Sequence, residues 1–135
     1  MKILIVDDDE LCRVMHLDML DDLGECDLAA NGSEAIEAFV RALSEGAPYD
    51  LICLDIIMPG IDGLQVLKKI RAIEAENNVV FPDSVRVIMV SSMSDMEHIM
   101  ASFDSRCEAY MIKPFERRLL LNHLSLLGLP AGAQI

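Results

Sequence analysis

Short apolar runs, each stopping abruptly at polar residues, alternate along the chain with longer stretches of helical spacing. The clear runs are ILIV (3–6), DLICL (50–54), VRVIMV (85–90) and AYMI (109–112). A weaker one, ECDLAA (25–30), sets Cys26, Leu28 and Ala30 against Asp27 and Ala29. A strand that is apolar throughout has to be covered on both faces. Five such strands with helices between them therefore predict an α/β domain, a doubly wound parallel sheet of five strands between two helix layers.

The intervening segments carry the matching start and stop signals. Asp9 stands at the positive end of the first helix, where an acid is favoured. Leu11, Val14, Met15, Leu17 and Leu20 are its expected apolar cluster, and Gly24 its stop. The second helix opens at Asn31-Gly32-Ser33 and runs to Gly46, and the third runs from about Gly63 to about Glu76. A fourth is expected from Ser94, with Glu97 completing a capping box. A fifth follows Pro114 and carries Leu119, Leu120, Leu124 and Leu127. Residues 76–84 form a long connection with turn chemistry at Pro82-Asp83.

At 135 residues the chain is long enough for one well-buried core. We assign residues 1–128 to that domain and 129–135 to a short tail. The formal net charge of -12 argues against direct binding to nucleic acid, whose phosphates it would repel. No apolar stretch is long enough to span a bilayer, and four apolar residues before the acids are too few for a signal-peptide core, so a cytoplasmic location is expected. Cys12, Cys26, Cys53 and Cys107 form no CxxC pair or zinc spacing and read as small buried residues in a reducing compartment. His16, His98 and His123 stand singly and read as surface or partly buried imidazoles rather than metal ligands.

In an open parallel sheet, ligands collect at the carboxyl ends of the strands. Here the first strand ends at Asp7-Asp8-Asp9, the third at Asp55, the fourth at Ser91-Ser92 and the fifth at Lys113-Pro114. The second ends at Asn31-Gly32, which reads as a turn only. Several carboxylates at one edge repel one another unless a cation joins them. A hard divalent ion with oxygen ligands, Mg2+, suits such a site. With a lysine and a hydroxyl alongside, the set can neutralise and position a phosphoryl group arriving at a carboxylate nucleophile.

The segments ILIVDDDE, LICLDIIMPGIDG, VIMVSS and YMIKPF, in this order, resemble the receiver domain of two-component response regulators, of the chemotaxis type and apparently stand-alone. The resemblance spans essentially the whole chain and implies a flavodoxin-like three-layer fold with strand order 2-1-3-4-5. It implies that Asp55 is the phosphoacceptor. Asp8 and Asp55 would ligate Mg2+ together with the backbone carbonyl of Ile57, Asp7 acting through water. Lys113 would pair with the phosphoryl group, Ser91 and Tyr110 would be the switch residues, and Lys113-Pro114 would be a cis bond. The donor would be a sensor histidine kinase or phosphotransfer protein. A downstream protein would dock on the surface made by the fourth and fifth helices with the fifth strand. The expected state is a monomer or weak dimer, away from membranes, with intrinsic Mg2+-dependent autophosphorylation and autodephosphorylation.

Simpler readings compete at several positions. Asp9 is explained by the helix dipole alone, Asp62 by a turn, and Tyr110 by ordinary packing. Met93, Met96, Met100 and Met111 pack a core or form an adaptable surface. Arg117 and Arg118 with Glu108 and Glu116 are exposed helix-end charges or a dimer contact. Arg106-Cys107 stands where the family commonly has Gly-Ala, which leaves the fourth helix without a glycine stop. Ile57 and Met93, two residues beyond Asp55 and Ser91, are apolar and expected to slow loss of the phosphoryl group to water. Two other function classes are a binding module that is never phosphorylated and a metal-dependent phosphatase. The full acid, serine and lysine set argues against the first. The absence of an acid shortly after Asp55 argues against the second.

Overall fold

The computed structural model describes residues 1–95 and 107–130. Five strands form one sheet: β1 (Lys2–Val6), β2 (Glu25–Ala29), β3 (Leu51–Asp55), β4 (Arg86–Ser91) and β5 (Ala109–Ile112). All neighbouring pairs are parallel, in the order β2-β1-β3-β4-β5. The helices are α1 (Glu10–Leu20), α2 (Gly32–Ser44), α3 (Gly63–Glu76) and α4 (Arg117–Leu126), the last being the helix expected fifth. Most of the expected helix from Ser94, with Glu97, Met96, His98, Met100 and Arg106, lies outside the described residues, as do residues 131–135 of the tail. Leu129 packs against the core, and its N–H donates to the Leu124 carbonyl at 2.9 Å.

Alternation along the strands divides the core into two layers. Leu4, Val6, Ile52, Leu54, Val87 and Met89 face α2 and α3, meeting Ala35, Phe39, Val66, Leu67 and Ile70. Ile3, Ile5, Leu51, Cys53, Ile88, Val90 and Met111 face the other way, onto Leu20, Leu120 and Leu124 of α1 and α4. The inner strands β1, β3 and β4 are therefore buried on both faces, as their unbroken apolar runs require.

The helix starts are fixed by side chains. Asp9 caps α1, accepting from the N–H groups of Leu11 and Cys12, as the dipole argument anticipates. Asn31 caps α2 by accepting from Glu34 N–H at 2.9 Å, so the end of β2 is a helix start as well as a turn. Asp62 is more than a turn residue: it forms a reciprocal capping box with Gln65 at the start of α3. Gly63 next to it lies so close to the end of β3 that a Cβ would sit 2.3 Å from the Asp55 carbonyl oxygen. Residues 93–95 are already helical, and Ser92 rather than Ser94 receives the Asp95 N–H, at 3.3 Å.

One expectation is corrected. The exposed face of α1 carries Leu11 (67% exposed), Val14 and Met15, while His16 and Leu20 turn inward. His16 stacks on Phe115 with ring centroids 4.8 Å apart. Its burial could not be read locally, because the ring that covers it comes from the far end of the chain. Glu108, Glu116, Arg117 and Arg118 are exposed, as helix-end charges are expected to be, and two of them also have partners within the chain. Glu108 takes both oxygens to Arg71 at 2.9 and 3.1 Å, and Arg117 pairs with Asp22 at 2.6 Å.

Candidate functional site

The site forms where β1, β3, β4 and β5 end together. Strand alternation sends Asp55 to the side of Leu51 and Cys53, the α1/α4 layer, and Ser91 to the side of Val87 and Met89, the α2/α3 layer. Asp7 is 1% exposed and Asp55 5%, whereas Asp8 is exposed. One carboxylate oxygen from each of Asp7, Asp8 and Asp55 can be chosen so that all three lie within 4.8 Å of one another. The acids read separately from the ends of the first and third strands are thus brought into one cluster.

Asp7 is the organiser of the cluster. Its Oδ1 accepts from Asp9 N–H at 2.9 Å, and its Oδ2 accepts from Lys113 Nζ at 2.6 Å. Its backbone is also tied down, with N–H donating to the Ala29 carbonyl and the carbonyl accepting from Arg13 Nη1 at 2.7 Å. Lys113 also lies 3.5 Å from Asp55 Oδ2, so one ammonium serves two buried carboxylates. Burial works against the charge on Lys113, but the hydrogen bond to Asp7 and the charges of Asp55 and Asp7 outweigh it and hold its pKa above the ordinary value.

Asp55 is where the electrostatics leave an opening. Burial pushes its carboxyl up to about 7, Asp7 and Asp8 push the same way, and Lys113 opposes them. One ammonium therefore does not balance the carboxylates, and a further cation would be favoured there. All the donors are carboxylate oxygens, the chemistry that suits Mg2+. Ile57 follows two residues later, on a segment whose side chain is 48% exposed.

Ser91 is fully buried at the end of β4, and among the described residues its Oγ has no hydrogen-bond partner. Its carbonyl is occupied, accepting from Lys113 N–H at 2.8 Å. A buried hydroxyl without a partner costs free energy and calls for an explanation. Ser92 next to it is different, since its Oγ bonds Asp95 Oδ2 at 2.7 Å. Tyr110 pairs in register with Met89, on the side of the sheet that Ser91 shares. It is partly buried against the α2/α3 layer, with burial and the neighbouring Cys107 pushing its phenol up to about 12. The Lys113-Pro114 bond is cis, as the resemblance implies, and Phe81-Pro82 is cis as well.

Sequence reasoning named Asp7, Asp8, Asp55, Ser91 and Lys113 at one sheet edge, and the structure brings the acids and Lys113 into contact distance. It missed Arg13, which holds the Asp7 carbonyl, and His16, which is buried beside Phe115 and feels the charges of both Asp7 and Lys113. For Arg13 the signal was available: one turn beyond Asp9, it faces back toward the end of β1.

Residues 3–125 match the response regulator receiver domain family. The chain is 32% identical over 126 residues to the chemotaxis protein CheY of Bacillus subtilis, covering 92% of this chain and 94% of that protein. It is 29% identical to the regulatory protein VanRB of Enterococcus faecalis, covering 97% of this chain and 53% of the relative, so it spans about half of that regulator's length. Among solved structures, the response regulator protein TrrA of Thermotoga maritima, in complex with Mg(2+)-BeF, superposes with a TM-score of 0.73 at 31% identity, covering 93% of this chain and 97% of that one. With this strand order, this acidic cluster and these matches along nearly its whole length, the chain belongs to the response regulator receiver domain family.

Proposed function

We propose that Asp55 accepts a phosphoryl group from a sensor histidine kinase or phosphotransfer protein, with Mg2+ held by Asp8, Asp55 and the Ile57 carbonyl and contacted by Asp7 through water. The observation that carries this reading is the clustering of Asp7, Asp8 and Asp55 within 4.8 Å of one another at the sheet edge, served among the described residues by the single ammonium of Lys113. Mg2+ there supplies neutralisation of the carboxylates and of the incoming phosphoryl oxygens. TrrA, a relative at 31% identity, carries Mg(2+)-BeF, which supports the same chemistry for this chain.

The residues then divide the work. An Asp55 oxygen attacks phosphorus as the bond to the donor breaks, so the phosphoryl group moves to Asp55 and the bonding pair leaves with the donor. Lys113 is 3.5 Å from Asp55 and meets the transferred oxygens, while Asp7 keeps the ammonium in place. Ser91 Oγ, without a partner in this state, gains one by donating to a phosphoryl oxygen. Tyr110 shares its side of the sheet and fills the volume that Ser91 leaves. The surface of the helix beginning near Ser92, β5 and α4 changes with them and alters affinity for a downstream protein. The phosphoryl contacts of Ser91 and Lys113 supply the differential interaction that any such shift requires.

The same site would take small phosphodonors and lose the group to water, as a cytoplasmic switch rather than a turnover enzyme. Residues 1–128 would act as the receiver and 129–135 as a tail, in a monomer or weak dimer. The test is intact mass after incubation with acetyl phosphate and Mg2+, beside EDTA and beside Asp55→Asn. A Mg2+-dependent phosphoryl adduct absent from Asp55→Asn is expected. An adduct that survives in Asp55→Asn, or that forms equally in EDTA, would overturn the assignment.

A further inference from the structure

Arg13 stands in the first turn of α1, and its side chain runs back toward the end of β1. Its Nη1 donates to the backbone carbonyl of Asp7 at 2.7 Å, in a part-buried bond. Its own N–H donates to the Asp9 carbonyl at 3.0 Å, at the start of the helix that the Asp9 side chain caps. Arg13 thus closes the path from β1 through Asp7, Asp8 and Asp9 into α1, with Asp8 at its middle.

The fold makes the Asp7 carbonyl depend on such a donor. The Asp7 N–H still continues the ladder, donating to the Ala29 carbonyl at 3.1 Å, but β2 ends at Ala29 and Asn31 already caps α2. No strand residue remains on that side to serve the Asp7 carbonyl, and a main-chain acceptor leaving the sheet has to find a partner. With Arg13 in place Asp7 is held at four points: its N–H by Ala29, its carbonyl by Arg13, and its two carboxylate oxygens by Asp9 N–H and Lys113 Nζ. Asp8 differs. It is exposed, and among the described residues its carboxylate accepts no hydrogen bond. Its place within 4.8 Å of the acids of Asp7 and Asp55 is therefore set by the backbone that carries it. The Asp7 carbonyl belongs to the planar peptide unit that leads into Asp8, so the bond from Arg13 fixes the plane from which the Asp8 side chain departs.

We propose that Arg13 is a positioning residue for the Mg2+ of this site: by holding the Asp7–Asp8 peptide unit it aims the exposed Asp8 carboxylate at the ion. The inference rests on the Mg2+ reading of the acidic cluster given above. Arg13 does not itself touch the ion, and its charge acts against it. A guanidinium beside a cation site repels the cation, so on charge alone its removal would tighten Mg2+ binding. Positioning predicts the opposite sign, because groups that orient metal ligands are worth about 10–100-fold in metal affinity. The two effects are separated by the direction of the change.

The test is titration of the full chain with Mg2+, followed by backbone amide NMR shifts, for the parent, Arg13→Met, Arg13→Lys and Lys69→Met. Met keeps an apolar stem and loses the donor, whereas Lys keeps a donor and the charge. Lys69 is exposed on α3, outside the cluster, and its replacement removes the same unit of charge. Arg13→Met is expected to raise the Mg2+ dissociation constant about tenfold. Arg13→Lys should recover most of that loss, and Lys69→Met should leave the constant unchanged. The same spectra show whether each variant is folded, and Arg13→Gln, too short to reach the carbonyl, replaces Arg13→Met if the latter is not. With acetyl phosphate as donor, the slowed adduct formation of Arg13→Met should return to the parent's rate once Mg2+ is raised about tenfold, since the defect lies in holding the ion. An Arg13→Met affinity equal to or above the parent's, or adduct formation that stays slow at saturating Mg2+, would overturn this inference and leave the Mg2+ site standing. A parent chain that binds no Mg2+ would overturn both.

Discussion

In the proposed reaction most of the chemistry turns on the carboxyl of Asp55, and its environment makes a thermodynamic prediction. An unfolded aspartate titrates near 4, and in the fold burial raises Asp55 to about 7. The fold therefore favours the neutral form. Its contribution to stability is fully present below about pH 4 and is lost as pH rises through about 7. In EDTA, Asp55→Asn should melt higher than the parent above neutral pH, by up to a few kcal/mol on the order of the shift. The gain should fade toward pH 4. Thermal melts of both chains across that range check it, and a gain independent of pH would refute the electrostatic cause. Ile57 and Met93 belong to the same scale. They are 48% and 60% exposed, so changing them leaves the fold intact. We expect Ile57→Asn or Met93→Glu to speed loss of the phosphoryl group by about tenfold, or ~1.4 kcal/mol of barrier, measured as adduct decay by intact mass. An unchanged decay rate would remove these side chains from control of water access.

At the scale of elements, the ends of helices and strands are locked by charged side chains more than by apolar pattern. Glu74 of α3 is 3% exposed, yet it accepts the Val85 N–H at 2.7 Å and Arg71 Nη1 at 2.6 Å. Arg71 also donates to the Val85 carbonyl at 2.9 Å and to both oxygens of Glu108, and Glu108 in turn accepts the Val87 N–H. One guanidinium thus joins α3 to the entry of β4 and of β5, at the end of the sheet opposite Asp55. Breaking a buried pair by removing one partner leaves a charge uncompensated, so Arg71→Ala should cost about 3–5 kcal/mol. Denaturant unfolding checks this, and a loss below 1 kcal/mol would show the network to be dispensable. Asp62→Ala should cost about 1 kcal/mol, the usual worth of an N-cap, by the same measurement. The cap at Asp62 and the Arg71–Glu74 pair follow local i, i+3 spacing, but the tie to Glu108 is not legible in the sequence. Arg71 and Glu108 are 37 residues apart, and no local spacing rule links them.

For the whole molecule, the sheet brings groups from four strand ends to one edge. A ligand that binds only the folded chain stabilises it by mass action, about 2.7 kcal/mol at a hundred times its dissociation constant. Mg2+ should therefore raise the melting temperature of the parent, and the rise should shrink in Asp8→Asn and in Asp55→Asn. An equal rise in all three chains would place the ion elsewhere. Among the described residues no helix is long and apolar enough to cross a membrane.

The sequence by itself determined the alternation of strand and helix, the parallel sheet, and the polar residues at which each strand stops. These are properties of local periodicity, and each run carries its own record of how it is covered. It also named the acids and the lysine, because a parallel sheet sends every strand's carboxyl end to the same edge. What only the tertiary structure decided depends on pairs far apart in the chain. Leu11, Val14 and Met15 look like the buried stripe of α1, but Phe115 arrives over His16 and turns a different face inward. Ser91 was distinguishable from Ser92 by ending an apolar run. That its hydroxyl is left unpartnered follows only from how the strand ends are packed. The grip of Lys113 on Asp7 across 106 residues has the same origin. Local sequence sets which faces can be buried, and long-range packing chooses among them.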